Sequence, residues 1–320
     1  MAEIYGDVSI STNSKLAWQL EGTGDVDEVT DNLAYDGSVA VGDFASALQI
    51  EFLSESLGKV DGFAYNGGIR GTRSRNHERV RQVAHVVRGS IEMTPTPVEL
   101  NSILYFVTGT ASTPFALTEQ VPTIGIIVDR TGNRFMYSGC KIGRMTIRGS
   151  QGGLIGVSLD IEGKNETVSA SSFPGTITAI DDKEPYVFSE AVFAYGGNSY
   201  EIRDFELVLD NGLITDRQMN SLYRRRIPAG DRQVGLRLAV PYSSNTLSAF
   251  GNISEAGIDG ATLTITNGTV SLTMTFGNLK ADNTSPVSGS RGNEMLLPLT
   301  FTAYKKGSTM EVSFANDSTP

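Results

Sequence analysis

The chain has 320 residues, roughly twice the size of a typical domain, which favours two domains over one large core. Its 35 glycines, 39% hydrophobic residues and only 19% charged residues, with abundant Thr, Ser and Val, suit a mainly β globular chain and exclude extended disorder. The formal net charge of −10 argues against a protein that grips DNA, because such proteins neutralise phosphates with Lys and Arg.

The negative charge is concentrated at the start of the chain, and residues 1–40 predict an acidic N-terminal arm. Within the first fifty residues the only basic residue is Lys15. The segment lacks the basic and apolar regions of a signal peptide, and no window of the chain is apolar over a length that spans a bilayer, so we expect no membrane partner. The acidic residues of the first fifty are Glu3, Asp7, Glu21, Asp25, Asp27, Glu28, Asp31, Asp36 and Asp43.

Cysteine and histidine are too scarce for most site chemistry. Cys140 is the only cysteine, which excludes an intrachain disulfide and fits folding in a reducing cytosol. With His77 and His85 as the only histidines, no structural zinc site is expected. His85 alternates along a strand with Val83 and Val87, so the pattern predicts a packed histidine on the apolar face.

No motif predicts catalysis, a cofactor or a metal. The chain has no Gly-x-Ser-x-Gly elbow. The stretch 149–156 lacks the Lys and Ser/Thr of a phosphate loop and precedes a strand, so it predicts a hairpin turn. Asp25, Asp27 and Asp31 resemble part of a calcium loop, but Val29 and Thr30 stand where an oxygen ligand and glycine are required.

Two stretches carry the same features in the same order. Arg81-Gln82-Val83-Ala84 matches Arg232-Gln233-Val234-Gly235, and an arginine-rich loop precedes both. Farther on, Phe135-Met136-Tyr137-Ser138-Gly139 resembles residues 272–277. We interpret the pattern as an internal duplication, the alternative being chance similarity between two β-rich halves.

Strand and helix signals agree with a β-rich unit that carries one short helix. Apolar residues alternate with polar ones in residues 204–210, in 233–240 and in 155–162. Thr96 predicts an N-cap, Pro97 the first helical position, Glu99 a capping box and Gly109 the end of the helix. A shorter counterpart is predicted over residues 245–250.

These signals predict a mainly β protein with two tandem domains, each a β-sandwich or half-barrel covered by one short α-helix. The first domain is expected over residues 41–168, after the arm, and the second over 186–320. Residues 169–185 between them are rich in Ser, Thr, Pro and Gly, which is typical of a linker.

The clustered arginines have two interpretations. They could bind nucleic acid, but no ladder of aromatic residues interleaves with them and the chain is acidic. We therefore favour contact with acidic surfaces on neighbouring copies of the chain, in loops between subunits or between stacked rings. The residues are Arg70, Arg73, Arg75, Arg79 and Arg81 in the first loop, and Arg217, Arg224, Arg225, Arg226 and Arg232 in the second.

Two regions resemble the tail tube proteins of long-tailed, siphovirus-type bacteriophages, in particular those with two domains in one chain. The first is the run Val87–Met93, followed by Thr94-Pro95-Thr96-Pro97 and a helix that ends at Thr108-Gly109. The second is the strand Phe205–Gly212, followed by the arginine loop and Gly230–Val234. The resemblance covers about residues 40–312, and no catalytic residue is carried over.

The resemblance implies a structural virion protein without enzymatic activity. Six tube domains form each ring of such a tube, so three double-domain chains would form a pseudo-hexameric ring, and stacked rings would form a channel for DNA ejection. The implied partners are further copies of the chain and the tape measure, terminator and distal tail proteins, with assembly in the host cytoplasm. Double-stranded DNA would pass through without specific binding.

An acidic inner wall would repel DNA weakly, whereas a basic wall would hold it by counterion release. The polar face of such a sheet equally suits the outer surface, and alternation does not decide between the two. The candidates for the lumen are Asp43, Glu51, Asp204, Glu206 and Asp210.

Two other functions stay open at this point. One is a β-sandwich module of the tail that binds carbohydrate or the host surface, which would expose a cluster of aromatic residues. The other is a distal or terminator protein, which would form a single ring that does not polymerise.

Overall fold

The computed structural model describes residues 14–21, 44, 47–65, 73–130, 132–173, 183–216, 221–250, 257–268, 270–283 and 295–317, without the side chains of 247–249, 282 and 283. These residues confirm the mainly β prediction: antiparallel strands dominate, with two α-helices, α1 (Pro97–Thr108) and α2 (Ser244–Phe250). Neither helix has the length and apolar run that crossing a membrane requires. Short 3-10 turns occur at His77–Arg79 and Phe188–Glu190.

The described strands are, in chain order, β1 (Lys15–Leu20), β2 (Leu48–Ile50), β3 (Ser54–Glu55), β4 (Gly58–Tyr65), β5 (Val80–Met93), β6 (Phe115–Ala116), β7 (Ile124–Arg130), β8 (Asn133–Ser150), β9 (Gly156–Gly163), β10 (Asn165–Ser169), β11 (Ala191–Tyr195), β12 (Asn198–Tyr200), β13 (Asp204–Asp210), β14 (Gln233–Pro241), β15 (Ile258–Asp259), β16 (Thr262–Asn267), β17 (Val270–Phe276), β18 (Asn278–Asn283), β19 (Leu296–Tyr304) and β20 (Val312–Asp317).

Helix α1 begins and ends where the sequence predicts. The Thr96 Oγ1 accepts the backbone N–H of Glu99, and the Glu99 carboxylate accepts the N–H of Thr96, which completes the capping box. Gly109 ends the helix with a positive φ of 85°, and its N–H donates to the Tyr105 carbonyl. Both predictions are confirmed.

The predicted short helix is also confirmed as α2, and it begins with the same reciprocal arrangement. The Ser243 Oγ accepts the N–H of Thr246 at 3.1 Å, while the Thr246 Oγ1 accepts the N–H of Ser243 at 2.8 Å. Ser243 is therefore the counterpart of Thr96.

Strand β8 connects the larger sheet. Its first part pairs with β7 and β10, and its second part pairs with β9 and β13. Beyond β9 the sheet continues to β5, which pairs with β3 and β4; beyond β13 it continues through β14 and β19 to β18. We call the run β3/β4, β5, β9, β8, β13, β14, β19 and β18 the joined sheet.

The junction between the two halves of the chain is the β8–β13 ladder. Its register extends without interruption from Asp204 opposite Ser150 to Asp210 opposite Arg144. Phe205, Leu207 and Leu209 point into the core and are at most 2% exposed. The alternation predicted for this strand is confirmed, and the apolar residues on both sides of the junction belong to one core.

The same order of pairings occurs twice along the chain. In the first half the paired strands are β1–β2, β1–β7, β7–β8, β8–β10, β8–β9, β5–β9 and β4–β5. The equivalent pairs in the second half are, in the same order, β11–β12, β11–β16, β16–β17, β17–β20, β18–β19, β14–β19 and β13–β14. One β-bulge occurs at an equivalent place in both, after Ile142 in β8 and after Ala281 in β18.

If Thr96 and Ser243 are taken as equivalent, Val87 of β5 is equivalent to Val234 of β14. The pairing of β5 with β9 begins at Val87, and the pairing of β14 with β19 begins at Val234. The sequence comparison instead pairs Val83 with Val234, four residues away. The difference arises because β5 extends beyond β9 as a hairpin with β4, whereas β14 begins where β19 ends.

The second sheet has the order β12-β11-β16-β17-β20-β6 and also contacts both halves of the chain. β6, which follows α1, pairs with β20 near the C-terminus. The Asn316 Nδ2 of β20 donates to the Pro97 carbonyl and to Asn101 Oδ1 of α1, both at 2.7 Å, and Tyr186 Oη donates to Asn316 Oδ1. These bonds satisfy a buried amide at the base of α1.

Part of the predicted N-terminal arm lies inside the fold. β1 pairs with β7 and β2, and its Leu16, Ala17 and Trp18 are at most 1% exposed. The Trp18 indole N–H donates to Ser102 Oγ of α1 at 3.2 Å. Glu21 of the arm is among the described residues, and the remaining acidic residues of the arm lie outside them.

We expect the Thr96 cap to contribute measurably to stability. Replacing Thr96 by Ala removes the acceptor for the Glu99 N–H and should lower the free energy of unfolding by about 1 kcal/mol. Urea unfolding of the monomer measures this, with Ser112→Ala, at an exposed position beyond the helix, as the control expected within about 0.5 kcal/mol of wild type. Equal unfolding midpoints for the two variants would contradict the prediction.

Candidate assembly surfaces and the charged sheet face

The described residues offer little catalytic chemistry. Cys140 is fully buried, and burial, followed by the nearby Glu21, raises the pKa of its thiol, which keeps the thiol protonated and unreactive. No group of three or more His, Cys, Asp or Glu among these residues could hold a metal ion. The features that stand out are surfaces: the polar face of the joined sheet and the arginine-bearing loops.

The side of the joined sheet that faces away from the core carries charged residues strand by strand. On β13, Asp204, Glu206 and Asp210 lie on this side, opposite the buried Phe205, Leu207 and Leu209. We call this side the polar face. It holds Arg88, Ser90 and Glu92 of β5, Ser158, Asp160 and Glu162 of β9, Arg144, Thr146, Arg148 and Ser150 of β8, Asp204, Glu206, Val208 and Asp210 of β13, and Gln233, Gly235, Arg237 and Ala239 of β14.

Acidic and basic strands alternate across the polar face. The acidic β9 and β13 flank β8, whose charged residues on this face are Arg144 and Arg148, and Arg237 lies on β14 beyond β13. The register places Arg144 between Asp160 and Asp210. Because opposed residues of paired strands are neighbours, each basic row lies beside carboxylates.

Glu206 also has arginines as its neighbours, because the register places it between Arg148 and Arg237. Arg88 of β5 is opposite Glu162, and the Arg148 guanidinium lies 3.4 Å from the Glu92 carboxylate. The polar face therefore carries four arginines among six carboxylates, a net charge of −2, with acidic and basic residues as direct neighbours.

The five residues predicted for the lumen divide into three groups. Asp204, Glu206 and Asp210 share the polar face, where Glu206 lies between Arg148 and Arg237 and Asp210 is opposite Arg144, and their place in a lumen stays a prediction. Glu51 is exposed in the connection after β2, where its N–H donates to Glu99 Oε1 at 3.0 Å. Asp43 lies outside the described residues. The sequence pattern missed the arginines beside these carboxylates because strand register brings together residues that are distant along the chain.

The described arginines of the first loop are exposed. Arg73, Arg75, Arg79 and Arg81 lie in or beside the hairpin formed by β4 and the start of β5. The Arg75 guanidinium lies 5.2 Å from the centre of the Tyr65 ring, a cation–π contact. Arg70 and, in the second loop, Arg217 lie outside the described residues.

Two arginines of the second loop are engaged inside the chain. Arg224 is 5% exposed, and its Nη1 donates to the Glu162 carboxylate of β9 at 2.5 Å and to the Gly163 carbonyl. The Arg232 Nη1 donates to the Thr118 carbonyl at 2.7 Å. Arg225 and Arg226 are exposed, and Arg225 also has an interaction partner. Arg224 and Arg232 have partners within the chain, and contact of the cluster with a neighbouring copy stays a prediction.

The second loop is fastened to the first half of the chain beside Arg224. His85 of β5 donates its backbone N–H to the Leu222 carbonyl at 2.6 Å, and its ring stacks on Tyr223 with centroids 4.8 Å apart. The His85 Nδ1 contacts the Asp61 carboxylate. The His85 ring is packed, as predicted, but against Tyr223 and Asp61 and not on a buried apolar face with Val83, which is 48% exposed.

The hairpin of β4 and β5 exposes apolar side chains that the sequence analysis did not single out. Phe63 is 64% exposed and Val83 48%, and Val60 and Val80 are about two-fifths exposed. Val83 was predicted on the buried face, but this part of β5 extends past the core. We call residues 58–65 and 80–86 the hairpin arm. Exposed apolar groups beside arginines are typical of protein–protein interfaces.

The fold and these surfaces define a structural assembly protein: a doubled β-unit joined edge to edge, with a hairpin arm and a charged sheet face. The family model described as phage tail tube protein matches residues 66–303. The chain belongs to this family, which places it in the virion tail as a structural protein. A search of curated proteins found no match.

We expect replacement of Arg224 by Met to destabilise the monomer. The change leaves the Glu162 carboxylate without its guanidinium partner, and because that carboxylate is partly exposed the expected loss is about 1–3 kcal/mol. The matched control Arg226→Met alters an exposed arginine of the same loop and should stay within about 0.5 kcal/mol of wild type. Chemical denaturation of both variants measures the difference, and equal stability would show that the buried pair does not hold the loop.

Proposed function

We propose that three copies of this chain form a pseudo-hexameric ring, and that the rings stack into the tail tube of a siphovirus-type phage. The tube conducts double-stranded DNA during ejection and has no enzymatic activity or cofactor. Assembly takes place in the host cytoplasm, together with the tape measure, terminator and distal tail proteins.

The observation that carries this proposal is the doubled pairing order together with the continuous β8–β13 ladder. One chain supplies two topologically equivalent units already joined side by side in a single sheet. The resemblance to double-domain tube proteins supplies the number of units in a ring. In the proposal the second unit comprises residues 186–320, and the first includes β1 in addition to residues 41–168.

The edge of the first unit suggests where the next copy joins. β3 and β4 pair with β5 over the stretch equivalent to the pairing of β13 with β14, and β4 continues beyond it, but no described strand lies on their other side, where β13 has β8. Open strand edges are ready templates for pairing with another chain. We place the ring contact at this edge, which has the second unit of another copy as its partner.

Negative-stain electron microscopy of the purified protein tests the proposal. We expect hollow tubes with end views of three-fold or pseudo-six-fold symmetry, because a head-to-tail stacking contact does not close. A protein that stays monomeric at high concentration would overturn the proposal. Single rings that never stack would instead indicate a distal or terminator protein.

The hairpin arm is the proposed contact between subunits or rings. Replacing Phe63 and Val83 by Ser removes exposed apolar area from the arm and should reduce tube formation at least about tenfold without lowering the unfolding midpoint. Val192→Ser together with Leu154→Ser is the matched control, since both residues are similarly exposed outside the arm. Tubes counted by microscopy, with sedimentation for soluble oligomers, give the measurement; normal tubes from the arm variant would rule out this contact.

A further inference from the structure

We infer that the arginine rows of the polar face form a latent binding surface for duplex DNA, which the carboxylates on the neighbouring strands keep from holding DNA. This inference rests on the proposed function only in naming duplex DNA as the polyanion that meets this face.

The geometry puts a carboxylate beside each basic row. Paired strands lie about 4.8 Å apart, and opposed side chains share one face. Arg144 has Asp160 opposite it on β9 and Asp210 opposite it on β13. Arg148 has Glu206 opposite it on β13.

The strand spacing is shorter than the distance over which salt screens charge. The screening length is about 8 to 10 Å at physiological ionic strength, so a phosphate at this face meets the summed field of two or three strands. With the carboxylates ionised, the six acidic residues of the polar face outweigh its four arginines. Without them, the arginines of β8 and β14 would present an uncompensated basic stripe, and each phosphate neutralised would release counterions and strengthen binding.

Two of these carboxylates have no hydrogen-bonding role that holds the described part of the fold together. The carboxylates of Asp160 and Glu206 make no hydrogen bond and no ion pair within 4 Å among the described residues, and the strands that carry them are held by backbone pairing and by buried neighbours. Asp210 differs, because its Oδ1 accepts the N–H of Gly212. Asp160, Glu206 and the exposed Asp204 are therefore the residues to neutralise without disturbing the fold.

The test is the triple variant Asp160→Asn, Asp204→Asn and Glu206→Gln, with a labelled random-sequence duplex DNA as the probe and fluorescence anisotropy as the readout. At about 50 mM salt we expect the triple variant to bind at least about tenfold more tightly than wild type, and the gain to disappear near 200 mM. Adding Arg144→Gln and Arg148→Gln to the triple variant should abolish the gain.

The matched control removes three negative charges elsewhere, through Glu119→Gln, Glu184→Gln and Asp216→Asn, which are exposed loop positions outside the joined sheet. A triple variant that binds no better than wild type overturns the inference. So does a control that gains as much, because net charge and not the arrangement on the face would then be responsible.

Microscopy of the same samples tests the proposed function separately. If the triple variant gains DNA binding but the protein forms no tubes, the proposed tube is refuted and the inference that carboxylates mask the arginines stands. If the triple variant forms tubes but does not gain DNA binding, the inference is refuted and the proposed tube stands.

Discussion

The backbone pairing of β13 with β8 is the interaction on which the rest of the structure depends. It joins the two halves of the chain into one sheet over seven consecutive residue pairs. A slip of one residue would turn Phe205, Leu207 and Leu209 to solvent and would bury the carboxylates of β13. The cost of burying them fixes the register, and the register in turn brings Arg144 and Arg148 beside Asp210 and Glu206.

The same junction explains why the two arginine loops differ. Directly after β13, the Asn211 side chain donates to the carbonyls of Val107 and Ile142, and farther on Arg224 reaches Glu162. The second loop is thus held by the first half of the chain. The hairpin arm occupies the equivalent place in the first half, where its Phe63 and Val83 stay exposed. The two equivalent segments therefore differ in what the described chain packs against them.

Local chemistry made several features predictable from the sequence. The caps of α1 depend on Thr96, Glu99 and Gly109, and the alternation in β13 depends on adjacent residues, so both could be predicted. The engagement of Arg224 could not be predicted, because its partner Glu162 lies in a strand distant along the chain and both loops are rich in arginine. The place of β1 in the sheet was equally hidden, since the acidic residues around it outweighed the apolar Leu16, Ala17 and Trp18.

Charge balance on the polar face matters more in an assembly than in one chain. Duplex DNA inside a tube of stacked rings would touch many copies of the same face at once, so even a weak attraction per copy would multiply into strong retention. The net charge of the chain gives little protection, because much of it lies near the N-terminus and is screened within about 10 Å. Compensation has to occur within the face itself. Placing acidic and basic residues on adjacent strands achieves it at the spacing of the sheet, well inside the screening length.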